Sequence, residues 1–393
     1  MAGPNRGKVA FIGYGEIPTG KYPERTSVQQ AIQVSLMAMK TANLEASAID
    51  TIITTRSFAD EVYDWGIGLF GEEIGLRTDL EFQMFTGGAS SSAMIKVAIG
   101  LILSGQSQYV LMVASNKWGT ITRGKAVDKL AALHHEDWER PFGFFQIGAV
   151  ALMMKPLFLR GVVTPEQSAS VAVSNRKWAA MNPNAMYRDP ITIEDVLNSG
   201  FVADPIHTLE SPPLADGAAA LLMTSAENAK NLVDQPVYLL GAGSSFSFSN
   251  ISQARMGGGQ RIGQGLAADV AYEEAGVGPK DIDLASIYEP YPVGTLAWLH
   301  NLGLCEGGLQ GAAQWMLEGG GAPGGELPVT TDGGMLSRGH CAISGGMLFA
   351  VEAIRQLRGE VGERQVKNPQ IALATAMGGV GNSAFVEIFG VNP

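Results

Sequence analysis

The sequence predicts an α/β protein built from two copies of one β-α-β-α-β unit. Three observations carry this. Strand-like and helix-like runs alternate through residues 8–115. The same element order returns from Pro236 onward. Each copy also has a small-residue elbow, rich in glycine, at the start of a central helix.

In the first copy, KVAFIGYGEI (8–17) reads as a strand ending in a glycine-rich loop. Residues 27–42 read as a helix, with Ala31, Val34, Ser35, Ala38 and Ala42 forming a small-residue face. IDTIITT (49–55) is a β-branched strand, and 80–85 is strand-like. The elbow TGGASSSA (86–93) follows. Met94, Val97, Ala98, Leu101 and Ile102 then recur at helical spacing, which predicts a helix to Leu103. YVLMVAS (109–115) is a strand of the buried type. This alternation predicts a largely parallel sheet sandwiched between helices.

From Trp118 to about Val233 the regularity gives way to a large excursion whose Pro and Asn residues mark loops. Within it, Asp216 precedes an apolar strand at 218–223. The second copy starts with PVYLLGAGSS (236–245), matching KVAFIGYGEI. The helix GLAADVAYEEAGV echoes residues 28–44, and GPKDIDLASIYE (278–289) matches EASAIDTIITTR (45–56) with Ile-Asp in register. HCAISGGMLFAVEAIRQLRG parallels the first elbow and its helix, and PQIALATAMGG parallels SQYVLMVAS. Matches in one order at a period of roughly 230 residues indicate an internal duplication, and packing about a pseudo-twofold would bring the two elbows face to face. The expected units are 1–120 (first half), 121–235 (excursion and end of that half) and 236–393 (second half).

Composition narrows the function. A 393-residue chain with 46% apolar and 17% charged residues buries a large core. Its formal charge of −11 argues against nucleic acid or an anionic membrane as a main partner. Two cysteines, Cys305 and Cys341, imply no disulfide framework and no cysteine-based zinc site. Without a signal-like N-terminal segment or an 18-residue apolar run, a soluble cytoplasmic protein is expected.

At the first elbow, free backbone N–H groups at the positive end of a helix suit an anion or a nucleophile, and Ser90, Ser91 and Ser92 are its only hydroxyls. The plain alternative is a turn that lets a helix pack close to a sheet. For His134 and His135 in HHEDWE, carboxylates nearby suggest a metal. Adjacent histidines point apart on most backbones, however, so a solvated or interface loop fits better.

The duplication, together with NRKWAAMNPNAMYRDPITIEDVL, ADPIHTLESPPLADGAAA, YEPYPVGTLAWLHNLGLCEGG and SRGHCAISG, resembles the thiolase superfamily, particularly its sterol-carrier-protein-X type, over nearly the whole chain. The resemblance implies a five-layered α-β-α-β-α fold from two duplicated halves, a dimer, and acyl groups handled as coenzyme A thioesters. SRGHCAISG sits where thiolases carry Gly-His-Pro-x-Gly. Degradative thiolases place a nucleophilic cysteine at the first elbow, where this chain has Gly88 or Ala89. They place a second in Cys-x-Gly, here AMG (376–378). Both sulfurs are missing.

Loss of both cysteines, with Tyr288 at the position of the thiolase Asn or His, is similar to the cysteine-less aldolases of bacterial steroid side-chain degradation. That implies retro-aldol cleavage of a bulky, steroid-like β-hydroxyacyl-CoA to a ketone or aldehyde plus a short acyl-CoA. The implied partner is a small OB-fold/zinc-ribbon subunit carrying the zinc. No cofactor is bound permanently, coenzyme A being part of the substrate, and no metal site is expected in this chain.

The resemblance makes Tyr288 the candidate acid/base group, with Tyr291 as an alternative; the neighbouring Glu289 either orients it or pairs with the loop, and His340, just ahead of the second elbow, is the candidate to donate to the enolate oxygen or share the proton transfer. A tyrosine acting near neutrality needs a lowered pKa or a relay. Backbone N–H groups of Ala89 and Gly378 are the candidate oxyanion hole. Ser90, Ser244, Ser245 and Arg176 are the candidate substrate and coenzyme A contacts, and Cys341 reads as a small apolar residue. Each has a plain structural counterpart: a buried tyrosine, a structural histidine, an arginine that holds the excursion together. The competing readings are a non-catalytic acyl-CoA-binding subunit and a Claisen-type acyltransferase using a serine or Cys341.

Overall fold

The computed structural model describes residues 2–56, 66–247, 263–379 and 381–393. In the first half the elements are β1 (Val9–Glu16), α1 (Ser27–Thr41), β2 (Thr51–Thr55), α2 (Gly66–Ile74), β3 (Leu80–Met84), α3 (Ser90–Leu103) and β4 (Val110–Lys117). The excursion holds α4 (Arg123–Ala131), α5 (Gln146–Leu159), α6 (Pro165–Ala180), α7 (Ile193–Asn198), β5 (Phe201–Ala203) and β6 (Ile206–His207). The chain then returns through β7 (Asp216–Ser225) and α8 (Ala226–Leu232). In the second half come β8 (Val237–Phe246), α9 (Gly263–Ala275), β9 (Leu284–Ser286), α10 (Pro292–Asn301), α11 (Gly308–Leu317), α12 (Gly345–Arg358), β10 (Ile371–Gly378) and β11 (Ser383–Gly390).

The strands run β3-β2-β4-β7-β1-β8-β11-β10-β9. Read outward from the β1–β8 seam, β1-β7-β4-β2 mirrors β8-β11-β10-β9, with β3 added at one edge. Only Ala10–Tyr238 and Phe11–Val237 pair across the seam. Helices α3 and α12 pack against strands of both halves, while α1 covers the outer face of the first half and α9 that of the second. The result is five layers, α-β-α-β-α. Strand residues alternate between two cores: Ala10, Ile12, Leu111 and Val113 face one, and Val9, Phe11, Val110 and Met112 face the other. A sheet covered on both faces therefore reads as continuous apolar runs.

The sheet is mixed, not largely parallel. β2–β3, β2–β4 and β9–β10 are parallel, but β1–β7, β4–β7, β1–β8, β8–β11 and β10–β11 are antiparallel. Each half inserts a closing strand, β7 or β11, between the first strand of its half and the strand that follows its central helix. In the second half β10 and β11 are joined by a short turn at Gly378–Ser383. In the first, the matching pair Lys117–Asp216 flanks the whole excursion. The excursion is thus an insertion into a hairpin.

The duplication extends to side chains. Gly13 and Gly15 on β1 lie against the carbonyls of Ala38 and Val34, and Gly241 and Gly243 on β8 lie against those of Ala271 and Ala267. A Cβ at any of the four would overlap a helix backbone, so glycine is what lets each outer helix close on its sheet. Asp50 accepts from Gln108 N at 2.6 Å and from Tyr109 N, just ahead of β4. Asp283 accepts from Gln370 N at 2.7 Å and Ile371 N at 2.9 Å, at the start of β10. Among the described residues no helix is long and apolar enough to cross a membrane.

Candidate active site

The elbow ahead of α3 meets the start of α12 and the β10–β11 turn. Gly346 lies against Gly88 O and Ser91 Oγ, where a Cβ would stand only 2.5 and 2.6 Å away, so the two elbows do face each other. A Cβ on Gly378 would overlap Thr86 O and lie 3.4 Å from Ala89 Cβ. Ala89 and Gly378, the two residues expected to supply backbone donors, are therefore side by side. Ala89 is the N-cap of α3 and fully buried. Ala376 packs against the Gly346 position, leaving only a methyl where the resemblance places the second sulfur.

Tyr288 reaches this junction from just beyond β9. Its N–H donates to Thr375 Oγ1 (2.9 Å) on β10, and its ring meets Phe349 of α12 edge-on at 5.7 Å. The hydroxyl ends at Gly88, occupying the space a Cβ would need. Burial pushes the phenol above its ordinary value, and Glu289 and Cys341, once ionised at high pH, oppose its ionisation further. This reverses the lowered pKa that a basic role asks for: near pH 7 Tyr288 is a neutral donor. Glu289 Oε1 accepts from Tyr291 N (2.8 Å) at the start of α10, yet burial pushes its carboxyl up to about 8. Tyr291 is buried in a separate cluster with Ala151, Met154 and Ile206, away from the Gly88 notch.

His340 is pinned through its backbone, donating to Pro213 O (2.9 Å) and accepting from Ala215 N (3.0 Å). Burial lowers its imidazole to about 4, so it is neutral near pH 7. The preceding turn is anchored by Arg338, which is buried between Asp332 (2.6 Å) and Glu16, while its carbonyl accepts from Thr19 and Met186. Gly339 has φ +120°, a conformation open to glycine, and this aims the chain into His340. Cys341 is fully buried against Gly217, and burial raises its thiol to about 12. It is the inert apolar residue the sequence suggested. His134 is buried with Glu139 3.3 Å away, and His135 stacks on Trp138, so the two rings have separate surroundings.

The four candidate substrate contacts have different surroundings in the fold. Ser90 Oγ donates to Gly87 O (2.6 Å) and accepts from Thr86 N (2.9 Å), so its hydroxyl closes the elbow and is not offered to a substrate. Arg176 is buried inside the excursion, bound to Ser337 Oγ and Asp189 O (both 2.9 Å) and lying over the Tyr187 ring. It holds the excursion to the turn before His340. Ser244 accepts from Lys96 Nζ (3.0 Å) in the central layer. Ser245 alternates to the other face, toward Gly263 at the start of α9. The remainder of that loop, 248–250, lies outside the described residues.

One group escaped the sequence reading. Glu387 on β11 is buried, hydrogen-bonded to Ser92 and near Lys96 just behind the elbow, and burial raises its carboxyl to about 7. An acid inside the apolar run FVEIFG was the available signal.

Comparison with known proteins fits this architecture. Residues 249–391 match the family model described as "Thiolase C-terminal domain-like". The chain is 28% identical to an acetyl-CoA acetyltransferase of Methanothermobacter thermautotrophicus, covering 97% of this chain and 99% of that protein. It is also 28% identical to a steroid side-chain-cleaving aldolase of Thermomonospora curvata, covering 97% of each. The solved structure titled "Ltp2-ChsH2(DUF35) aldolase" superposes with a TM-score of 0.85 at 27% identity, covering 98% of both chains. The chain has a thiolase-like fold, with the family's C-terminal domain at residues 249–391, and is similar over nearly its whole length to this acetyltransferase and these aldolases.

Proposed function

We propose that this protein is a carbon–carbon lyase that cleaves a bulky, steroid-like β-hydroxyacyl-CoA by a retro-aldol reaction, giving a ketone or aldehyde and a short acyl-CoA. The observation that carries the reading is the neutral Tyr288 hydroxyl seated in an elbow that has no sulfur. The β-hydroxyl proton passes to the neutral imidazole of His340 as the Cα–Cβ bond breaks and the carbonyl product forms. The bonding pair moves into a thioester enolate, whose oxygen lies toward the N–H groups of Ala89 and Gly378. Tyr288 then protonates Cα, and transfer of the proton from His340 to the phenolate restores both groups. No covalent intermediate is needed. The relative named as a steroid side-chain-cleaving aldolase and the structure titled as an aldolase support this chemistry, and the two-component title of that structure supports a second subunit, for which an OB-fold/zinc-ribbon protein is our proposal. A homodimer working in the cytoplasm completes the proposal.

The acetyltransferase relative favours a second reading, acyl transfer with or without a covalent intermediate. Against it stand the Cys341 thiol, held protonated by burial, and the Ser90 hydroxyl, already engaged at both ends. Co-expression with a zinc-ribbon/OB-fold protein, incubation with a ring-bearing β-hydroxyacyl-CoA and mass spectrometry separate the two. A carbonyl product plus a short acyl-CoA without added coenzyme A is the expected result, with roughly 10²–10⁴-fold lower turnover in Tyr288→Phe. A shortened acyl-CoA formed only when free coenzyme A is added would replace the lyase with a thiolase.

A further inference from the structure

Glycine at position 88 is not required by its own backbone. Gly87 has φ +61°, but Gly88 is not among the left-handed residues, so an L side chain would suit its dihedrals. Space decides instead. A Cβ on Gly88 would overlap Oη and Cζ of Tyr288 and come within 2.6 Å of Met377 O. The notch is bounded on its remaining sides by fixed groups: Gly346 against Gly88 O, and Gly378 against Thr86 O and Ala89. Tyr288 itself has little freedom to withdraw, with its N–H on Thr375, its ring on Phe349, and Gly345 beside its ring edge.

We infer that Gly88 is the positioning residue for Tyr288, and that the elbow holds either a side chain at 88 or the hydroxyl of residue 288, never both. A chain with this tyrosine therefore cannot also present a nucleophile from position 88, and a side chain introduced there drives the hydroxyl out of the elbow. The inference deepens the lyase reading, since it rests on Tyr288 as the proton donor. The seat itself is a matter of packing, and it is tested separately.

Gly88→Ala is made in the wild-type, Tyr288→Leu and Tyr288→Phe backgrounds of the full chain. Leucine shortens the side chain and vacates the notch, while the Met377 carbonyl opposes the added methyl in every background. The difference between backgrounds therefore reads the tyrosine. In wild type, overpacking is expected to lower Tm by on the order of 2–4 °C, and by clearly less in the Tyr288→Leu background. Expression of soluble Gly88→Ala only in the Tyr288→Leu background would say the same. Equal losses, or insolubility in both, would place the obstacle at Met377 and overturn the inference.

In the cleavage assay, Gly88→Ala is expected to cut kcat about 10²-fold with KM little changed. Added to Tyr288→Phe it should cost nothing further, because the displaced oxygen is already gone. Losses that multiply would mean general damage and overturn the positioning role. If wild type cleaves none of the esters, the lyase reading fails, and the Tm comparison still decides the seat.

Discussion

Replacing Glu289 by glutamine is expected to remove a pH dependence of stability that the native protein carries between pH 4.5 and about 8. Burial lifts this carboxyl from 4.5 to about 8, opposed by the Tyr291 N–H at 2.8 Å. Within that window the folded protein holds a proton that the unfolded chain has released. The native state then binds more protons, and stability falls as pH rises. Below 4.5 both states are protonated and above about 8 both are ionised, so the slope is confined to the window. At 1.36 kcal/mol per pH unit, the gap sets a ceiling of roughly 5 kcal/mol. The positive end of α10, which lies beside the carboxylate, favours the ionised form and brings the expected effect to about 2–3 kcal/mol.

Glutamine is neutral throughout, and its Oε1 can keep the Tyr291 bond. Urea unfolding of both proteins at about pH 5 and about pH 8.5 measures the effect, and subtracting wild type from the variant cancels every other titrating group, Glu387 included. The variant should gain about 2–3 kcal/mol on wild type between the two pH values. Parallel curves would refute the reasoning, because they would mean that Glu289 is ionised and solvated in the folded protein.

Two further outcomes are expected. Cys341→Ala, or exhaustive alkylation of accessible thiols, should leave turnover of a β-hydroxyacyl-CoA unchanged, since burial keeps the Cys341 thiol protonated and it takes no part in the reaction; an acyl-enzyme seen by mass spectrometry would contradict this. Glu16→Gln leaves Arg338 and Arg355 without the carboxylate they share and should destabilise by about 3–5 kcal/mol in chemical denaturation, with a loss of activity through the turn that carries His340.

Much of the site was legible because its parts are local or repeated. The elbow declares itself through Gly-Gly-Ala-Ser ahead of a periodic helix, and the duplication through element order, so that Ala89, Gly378 and the facing of the two elbows could be expected from the sequence. Side-chain partners could not. Ser90 and Arg176 have the chemistry of ligand-binding residues, yet one closes its own elbow and the other is tied to Ser337 across a long sequence separation. Long-range partners of this kind leave no local pattern. Likewise β7 reads as one more apolar strand, and its direction depends on which neighbours it joins.

By itself the sequence determined the layered α/β class, the two-copy organisation and the absence of sulfur from both family positions, because hydrophobic period, internal repetition and residue identity are written along the chain. Only the tertiary structure decided that the sheet is mixed, that burial keeps Tyr288 neutral, and that its hydroxyl fills the space left by Gly88. Strand direction, desolvation and van der Waals exclusion are relations between segments far apart in sequence, and they come into being only when those segments pack.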